Sequence, residues 1–142
     1  MVMTHDERIA IVTLRYDLIN RHEHAAASEL YAADAEVESP TAGTLKGRSA
    51  IRKVEEAWFT AFPDLEVTLE DVIVEGSRVV VIARFRGTHK ERFLGMEPTG
   101  THFEVPMVLV HTIDDGQIRH ERRFYDFSGL LIRLGILKVK PG

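Results

Sequence analysis

Two side chains near the end of the chain have the types and the spacing for acid–base chemistry. His111 lies in an apolar run over residues 107–113, and Asp126 follows a second run that starts at Ile118. The pair Asp115-Gly116 separates the two runs, and an Asp-Gly turn between apolar runs predicts a β-hairpin. Because a hairpin lays its strands side by side, we expect His111 and Asp126 to face one site.

Asp126 is the candidate general base. A carboxylate in an apolar pocket has a raised pKa and can take a proton from a carbon next to a carbonyl group near neutral pH. Phe124 is a candidate for part of that apolar surround. A short helical pattern starts directly after Asp126, and Asp is a common helix N-cap. Capping is therefore the structural alternative, and one residue can have both roles.

His111 is the candidate partner of Asp126. Strand alternation places its imidazole on the same face as Leu109 and Ile113. A neutral imidazole there could polarise a substrate carbonyl group or hold the carboxylate of Asp126. The alternative is a core histidine that is hydrogen-bonded to a backbone or hydroxyl group.

The first half of the chain predicts helices. Hydrophobic spacing predicts them over residues 6–20, 25–31 and 48–62, and Pro63 ends the third. Thr4 and Glu7 have the spacing of a capping box at the first helix. Between the second and third helices, we predict a short extended segment over residues 35–39 and a loop over residues 41–47.

The second half of the chain predicts long strands. They span residues 65–74 with a break in phase near Asp71, residues 78–89, residues 101–113 and the second arm of the hairpin. A short helical pattern over residues 127–134 ends at Gly135. Helices followed by antiparallel strands indicate an α+β fold. We predict a strongly curved antiparallel sheet wrapped around three N-terminal helices, forming a cone with an internal apolar pocket.

Size and charge restrict the class of protein. The chain has 142 residues, which fits one domain over residues 1–142. With 18 basic and 22 acidic residues it has a net charge of −4, which argues against nucleic-acid binding. There is no cysteine, no apolar stretch of the ~20 residues that span a membrane, and no signal-peptide core at the start. We expect a cytoplasmic protein that binds neither nucleic acid nor membrane.

Further side chains are candidates for the pocket wall, because core and pocket share one surface in a cone. Tyr16 stands out since a buried hydroxyl needs a hydrogen-bond partner. His89 adjoins a candidate lid over residues 90–100, although anchoring that loop is the simpler role. The candidate substrate-binding residues are Tyr16, Glu38, Trp58, Phe62, Phe85, His89, Leu109 and Phe124. The structural alternatives are core positions for the aromatic residues and a solvated surface position for Glu38.

The spacing of the histidines and arginines bears on metal and partner sites. The seven histidines form no metal-binding motif on one element, and His22 and His24 fall in a turn, so we expect no metal. Arg84 and Arg86 alternate with Phe85 and are assigned to the outer side of the sheet. Long strands leave that side partly uncovered, and we expect a homodimer through the sheet.

Five segments of the chain resemble the SnoaL-like polyketide cyclase family, within the nuclear transport factor 2-like superfamily of α+β cones. They are AFPDL (61–65), GTH (87–89), FLGMEPTG (93–100), DGQI (115–118), and Asp126 with Leu130-Leu131 and Leu134-Gly135. The similarity covers nearly the whole chain. It implies ring closure in an aromatic polyketide by an intramolecular aldol reaction without metal or cofactor. It also implies that Asp126 is the base and His111 its assistant, while Leu109 replaces a family Gln.

Three functions follow. The first is a small lyase or isomerase-type enzyme that acts on a hydrophobic carbonyl compound through Asp126 and His111. The second is a non-catalytic module for binding a small hydrophobic ligand or for dimerisation, which Leu109 favours because it makes the pocket more apolar. The third, epoxide hydrolysis, needs an Asp/Arg/Asp set. Arg84 and Asp126 are present, but no Asp lies two residues from Arg84.

Overall fold

Four helices and six strands make up the computed structural model, which describes residues 2–140. The helices are α1 (His5–Asn20), α2 (His24–Ser28), α3 (Arg48–Ala61) and α4 (Phe127–Arg133). The strands are β1 (Tyr31–Ser39), β2 (Gly43–Lys46), β3 (Glu66–Glu75), β4 (Arg78–Thr88), β5 (His102–Asp114) and β6 (Gln117–Tyr125). Among the described helices, none is long and apolar enough to cross a membrane.

All six strands form one sheet in the order β2-β1-β6-β5-β4-β3. Every neighbouring pair is antiparallel except β1 and β6, which run parallel. The predicted α+β class is confirmed. The parallel pair was not predicted, because it joins segments that are distant in sequence and leaves no local signal.

The sheet buries one face along its length. On β4 the buried positions are Val79, Val81, Ala83 and Phe85, while Arg84 points outward. The predicted phase break on β3 is a bulge between Leu69 and Asp71. Alternation along the strands therefore separates an inner face, which meets the helices, from an outer face.

The two long helices follow the predicted patterns. Thr4 and Glu7 form the capping box of α1, with the Thr4 hydroxyl accepting from the Glu7 amide at 3.1 Å. Helix α3 ends at Ala61, because Phe62 precedes a proline and leaves the helical conformation. Helix α1 packs on β3, and α3 packs on β1.

Two predicted elements near the middle of the first half were wrong. The second helix ends at Ser28 and not at residue 31, and β1 begins at Tyr31, four residues before the extended segment predicted over residues 35–39. The loop predicted over residues 41–47 contains β2, which pairs with β1. In both places, hydrogen bonds to other strands overrode the local preference for helix or turn.

Candidate active site

A cavity lies between α1, α3 and the inner face of the sheet. It encloses about 620 Å³ between its atoms, part of it open to solvent. Most of the wall is apolar, formed by Ile19, Trp58, Phe59, Leu65, Val67, Phe85, Met107 and Leu109. The polar lining residues are Arg15, Tyr16, Ser39, Glu55, Glu121, Arg123 and Tyr125. The cavity thus combines an apolar wall with a charged region.

Four of the polar residues, Arg15, Glu55, Glu121 and Arg123, form a charged cluster. Glu55 Oε1 accepts a short hydrogen bond from Arg15 Nη2 and another from Arg123 Nη2 at 3.1 Å. Arg123 Nε donates to Glu121 Oε2 at 2.5 Å. All four side chains are at most 10% exposed. Two arginines therefore balance two glutamates in a region with little water.

Three different elements deliver the charged cluster. Arg15 lies on α1 beside the buried Tyr16, and Glu55 lies one turn after the buried Ile51 on α3. Glu121 and Arg123 are alternate residues of β6, so strand geometry points both to the inner face. The cluster consequently bridges the helices and the sheet.

A second chain of contacts leads from the cavity into the core. The Tyr16 hydroxyl lies 3.0 Å from His111 Nε2, and His111 Nδ1 lies 2.9 Å from Glu121 Oε1, in a geometry too bent for a hydrogen bond. Tyr31 donates its hydroxyl to the same Glu121 oxygen at 2.7 Å. Tyr16, His111 and Glu121 thus form a continuous contact chain that starts at the cavity and ends at a buried carboxylate.

Burial and charge fix the protonation of the two ends of the contact chain. Burial raises the pKa of the Tyr16 phenol well above its ordinary value of 10.0, and the charge of Glu121 adds to this. Burial alone would raise the pKa of Glu121. Arg123, His111 and Arg15 instead hold it well below the ordinary 4.5. Glu121 is therefore a carboxylate and Tyr16 a neutral hydroxyl donor.

Besides the buried Arg15 Nε, two atoms of the charged cluster have no hydrogen-bond partner among the described residues. Glu55 Oε2 accepts no hydrogen bond from the described residues, and Arg123 Nη1 finds no acceptor among them. Both side chains line the cavity. Glu55, Arg123 and Tyr16 are therefore the candidate polar contacts for a ligand in the cavity.

The expected pair of His111 and Asp126 is not formed. Asp126 is exposed, and its Oδ1 accepts from the Gly129 amide at 2.9 Å as the N-cap of α4. On β5, His111 lies opposite Glu121, while the residue before Asp126 pairs with Met107, four positions away. The hairpin therefore brings a different carboxylate to His111, which is itself buried behind Tyr16.

Four predicted wall residues, Tyr16, Trp58, Phe85 and Leu109, line the cavity, and two others are on the outer face. Phe124 is 44% exposed beneath the guanidinium of Arg122, 4.9 Å from its ring. Glu38 pairs with His120 at 3.0 Å and with Arg122. Both predictions as wall residues were wrong. Alternation from Glu121 turns Arg122 and Phe124 outward on β6, and Glu38 lies opposite Arg122 on the neighbouring strand β1.

Phe62 and His89 are buried but do not line the cavity. His89 Nδ1 accepts from the Thr99 amide at 3.3 Å, and its ring lies 5.4 Å from that of Phe62. The loop over residues 90–101, between His89 and β5, contacts the cavity wall through Phe93, whose ring centre lies 4.5 Å from that of Trp58. His89 thus anchors this loop, which is the simpler of the two roles considered for it from the sequence.

The charged cluster was missed in the sequence. On β6, Arg122 points outward, whereas Glu121 and Arg123 on either side of it belong to the inner face. Counting back from the turn would have placed His120 opposite His111, since Asp114 pairs with Gln117. A register shift between Thr112 and Ile113 places Glu121 there instead. Arg15 and Glu55 carried no such signal, because charged residues on helices are usually solvated.

Comparisons with known proteins agree on one family. The family model for SnoaL-like polyketide cyclases matches residues 10–134. AclR of Streptomyces galilaeus, a candidate hydroxylase, is 25% identical with a TM-score of 0.86, over 97% of this chain and 91% of its own. A candidate SnoaL-like polyketide cyclase of Jannaschia sp. CCS1 is 25% identical with a TM-score of 0.84, over 97% and 99%. IdmH of Streptomyces antibioticus, a candidate polyketide cyclase, is 28% identical with a TM-score of 0.80, over 90% and 98%. Comparison with the curated proteins gives no match.

Proposed function

The chain belongs to the SnoaL-like polyketide cyclase family, and we propose that it is a cyclase or isomerase for a hydrophobic carbonyl compound. Family and fold neighbours support a function of this general kind. The observation that supports the specific chemistry is that Tyr16, at one end of the contact chain, and Glu55 both line the apolar cavity. An acid and a base thus face the same space, and no cofactor is needed for the reaction.

In an aldol closure, Glu55 Oε2 takes a proton from the carbon next to a substrate carbonyl. Arg123 Nη1 stabilises the enolate oxygen that forms. The enolate carbon attacks a second carbonyl carbon of the same molecule, so a C–C bond forms and the second oxygen becomes an alkoxide. Tyr16 donates its proton to that alkoxide, and the proton held by Glu55 restores Tyr16 through solvent. An isomerisation uses the same first step and returns the proton to another carbon.

His111 and Glu121 have positioning roles in this scheme. Both oxygens of Glu121 already contact Arg123, Tyr31 or His111, so neither oxygen of this lining residue is free to act on a substrate. Glu121 orients the imidazole of His111, which in turn holds the Tyr16 hydroxyl at the cavity wall. Asp126 as the base is the alternative from the sequence, and it requires the exposed carboxylate to leave its cap.

The test is exchange of the α-protons of a small apolar ketone such as β-tetralone in D₂O, followed by NMR. We expect the protein to accelerate exchange, and Glu55→Gln and Tyr16→Phe to lower that acceleration by about 10²-fold or more. Asp126→Asn keeps a cap at α4 and should leave the rate unchanged. Circular dichroism shows whether each variant is folded. A folded Glu55→Gln with the wild-type rate, or a slow Asp126→Asn, would overturn the assignment of the base.

A non-catalytic binding module is the second candidate. Leu109 is 3% exposed at the wall, so the cavity lacks one polar group that a catalytic site could use. This candidate predicts that tetralone binds while exchange stays at the rate in buffer. The same NMR experiment therefore distinguishes the two functions.

We also propose that two copies associate through the outer face of the sheet. That face carries the apolar residues Ile73, Val80, Ile82, Val108 and Val110 on three adjacent strands. Beside them, Arg84 pairs with Glu70 at 2.6 Å, so the rim offers charges of both signs to a second copy. Light scattering should give a dimer mass for the wild type and a monomer for Val108→Lys. A wild-type monomer would contradict the proposal.

A further inference from the structure

We propose that α2 is an acid-sensitive latch on the cavity, which the ring of His24 holds closed. The latch needs only the location of the cavity and not the reaction proposed for it. Three features of this part of the molecule support it. They are the weakness of α2 as a helix, its contacts with the cavity wall, and the surroundings of the His24 imidazole.

Helix α2 depends on its packing, because it is too short to be stable by itself. It spans the five residues His24–Ser28, and its N-cap, Glu23, makes no side-chain hydrogen bond to it. Such a short helix fixes several backbone dihedral angles for few hydrogen bonds, so it forms only where tertiary contacts hold it. Just before it, His22 has a φ of 61°, which non-glycine residues rarely adopt. The segment is therefore a weak point of the fold.

Two contacts connect α2 to the cavity. The Ala27 carbonyl accepts a hydrogen bond at 3.1 Å from Nη1 of Arg15, which belongs to the charged cluster. The ring of His24 lies 4.2 Å from that of Phe59, centre to centre, and Phe59 lines the cavity. Release of α2 would therefore remove one support of the charged cluster and one support of the apolar wall.

The surroundings of His24 favour a neutral imidazole. Its Nδ1 atom is shielded from solvent and has no hydrogen-bond partner among the described residues. Burial lowers the pKa of His24 below its ordinary value of 6.5. A protonated ring would place a charged donor without an acceptor against Phe59, which is costly where there is little water. Uptake of a proton therefore weakens the contact that holds α2 in place.

Charged groups on α3 and in the turn before α2 act on His24 without reversing this preference. Glu55 and Glu56 favour the protonated ring, whereas His22 and Arg52 oppose it. Both carboxylates are already paired, since Glu56 accepts from Arg52 at 2.8 Å and Glu55 accepts from two arginines of the charged cluster. Burial outweighs their attraction, so the pKa of His24 stays below its ordinary value.

The direction of the pH effect follows from linkage. His24 takes up a proton more readily when α2 is released than when it is packed, so a falling pH favours release. The contribution of His24 to the closed state is complete above the ordinary pKa of 6.5, and it is lost as the pH falls through that value toward the lowered pKa. Over this range, release increases by up to about tenfold per pH unit.

The test is amide hydrogen exchange by NMR, which measures the opening of individual segments. The amides of Ala27 and Glu29 donate to backbone carbonyls of α2 and its N-cap. We expect their protection, corrected for the intrinsic rate, to fall about threefold or more between about pH 7.5 and about pH 5.5. Amides of β4, which lies between two other strands, should keep theirs. Unchanged protection in α2, or an equal loss in β4, would overturn the latch.

Two neighbouring histidines provide matched variants. His24→Phe keeps an aromatic ring on Phe59 but cannot titrate, so the protection of Ala27 should no longer depend on pH. His22→Asn removes an exposed histidine of the same turn, and asparagine adopts a positive φ readily, so the wild-type pH dependence should remain. Acid-sensitive protection in His24→Phe, or its loss in His22→Asn, would overturn the assignment to His24.

Access to the cavity is measured through Trp58, the one tryptophan of the chain, which lines the cavity. Acrylamide quenching of its fluorescence should increase over the same pH range in the wild type and stay constant in His24→Phe. Quenching that stays constant while α2 opens would show that α2 does not control the cavity. If His24→Phe does not fold, NMR titration of the wild-type ring decides, since its protonation must coincide with the loss of protection at Ala27.

None of these measurements involves turnover. A pH-dependent opening of α2 without α-proton exchange supports the latch and contradicts the proposed enzyme. Exchange without such an opening does the reverse.

Discussion

The middle and the end of β6 carry carboxylates that differ in almost every physical respect. Glu121, in the middle, is fully buried between Arg123, Tyr31 and His111. Asp126, just past the end, is exposed and accepts one hydrogen bond from the first turn of α4. The difference shows that register decides the role of an acidic residue here. A residue opposite His111 joins the site, and a residue beyond the strand caps a helix.

Removing the buried carboxylate should have the largest effect. Glu121→Ala leaves Arg123 without its partner on Nε and removes the neighbour of His111 Nδ1. We expect a loss of about 3–5 kcal/mol in the free energy of unfolding, since breaking one side of a buried ion pair strands the other charge. Urea denaturation followed by Trp58 fluorescence measures this loss.

Asp126→Ala is the matched comparison, because it removes a carboxylate at an exposed helix cap just past the end of the same strand. If the two variants lost the same stability, the proposed distinction between the middle and the end of β6 would be wrong. Glu121→Gln should fall between them, since its amide oxygen can still accept from Tyr31.

Acid should affect the buried carboxylate in a defined direction. The pKa of Glu121 in the folded chain is well below its ordinary value of 4.5, where the unfolded chain takes up its proton. Between these two values the unfolded state binds more protons, so stability falls as the pH falls. The contribution of Glu121 is thus present above about pH 4.5 and is lost as the pH drops through the folded pKa.

The acid dependence is measured as the urea midpoint of unfolding from about pH 3 to about pH 6, a range that brackets the ordinary pKa of a glutamate. The curve for Glu121→Gln should be flatter than that of the wild type over this range. Parallel curves would mean that Glu121 does not titrate as its ion pairs require.

The cap gives the smallest effect and sharpens the comparison. Asp126→Ala should cost about 1 kcal/mol of stability, which is typical for the loss of an N-cap side chain. Asp126→Asn should cost less, because its amide oxygen can still accept from Gly129. Thermal unfolding compares the two variants. A loss from Asp126→Asn as large as that from Glu121→Ala would indicate that Asp126 has partners in solution beyond the cap.

The sequence predicted the parts of the fold that depend on local pattern. The spacing of apolar residues located α1 and α3, and the alternation of apolar and polar residues located β3 to β6. Each of these patterns lies within a single segment of the chain. Strand β2 and the start of β1 escaped prediction, since they are strands only by virtue of pairing with each other and with β6.

The candidate site was predicted less well, for a physical reason. His111, Tyr16 and Trp58 were identified from their residue types on apolar faces. Arg15 and Glu55 were not, because a charged residue is buried only when a partner neutralises it, and those partners come from other elements. Charged clusters of this kind are properties of tertiary structure.

The parallel pairing of β1 with β6 has a consequence for synthesis. A nascent chain that ends at residue 116 already contains Arg15 and Glu55 but not the strand that completes their charge balance. One edge of β1 is also open until β6 leaves the ribosome. Unpaired edges of this kind promote association between chains. The fold is therefore completed after translation of its last strand, and stalled or truncated products should be clients of chaperones and proteases.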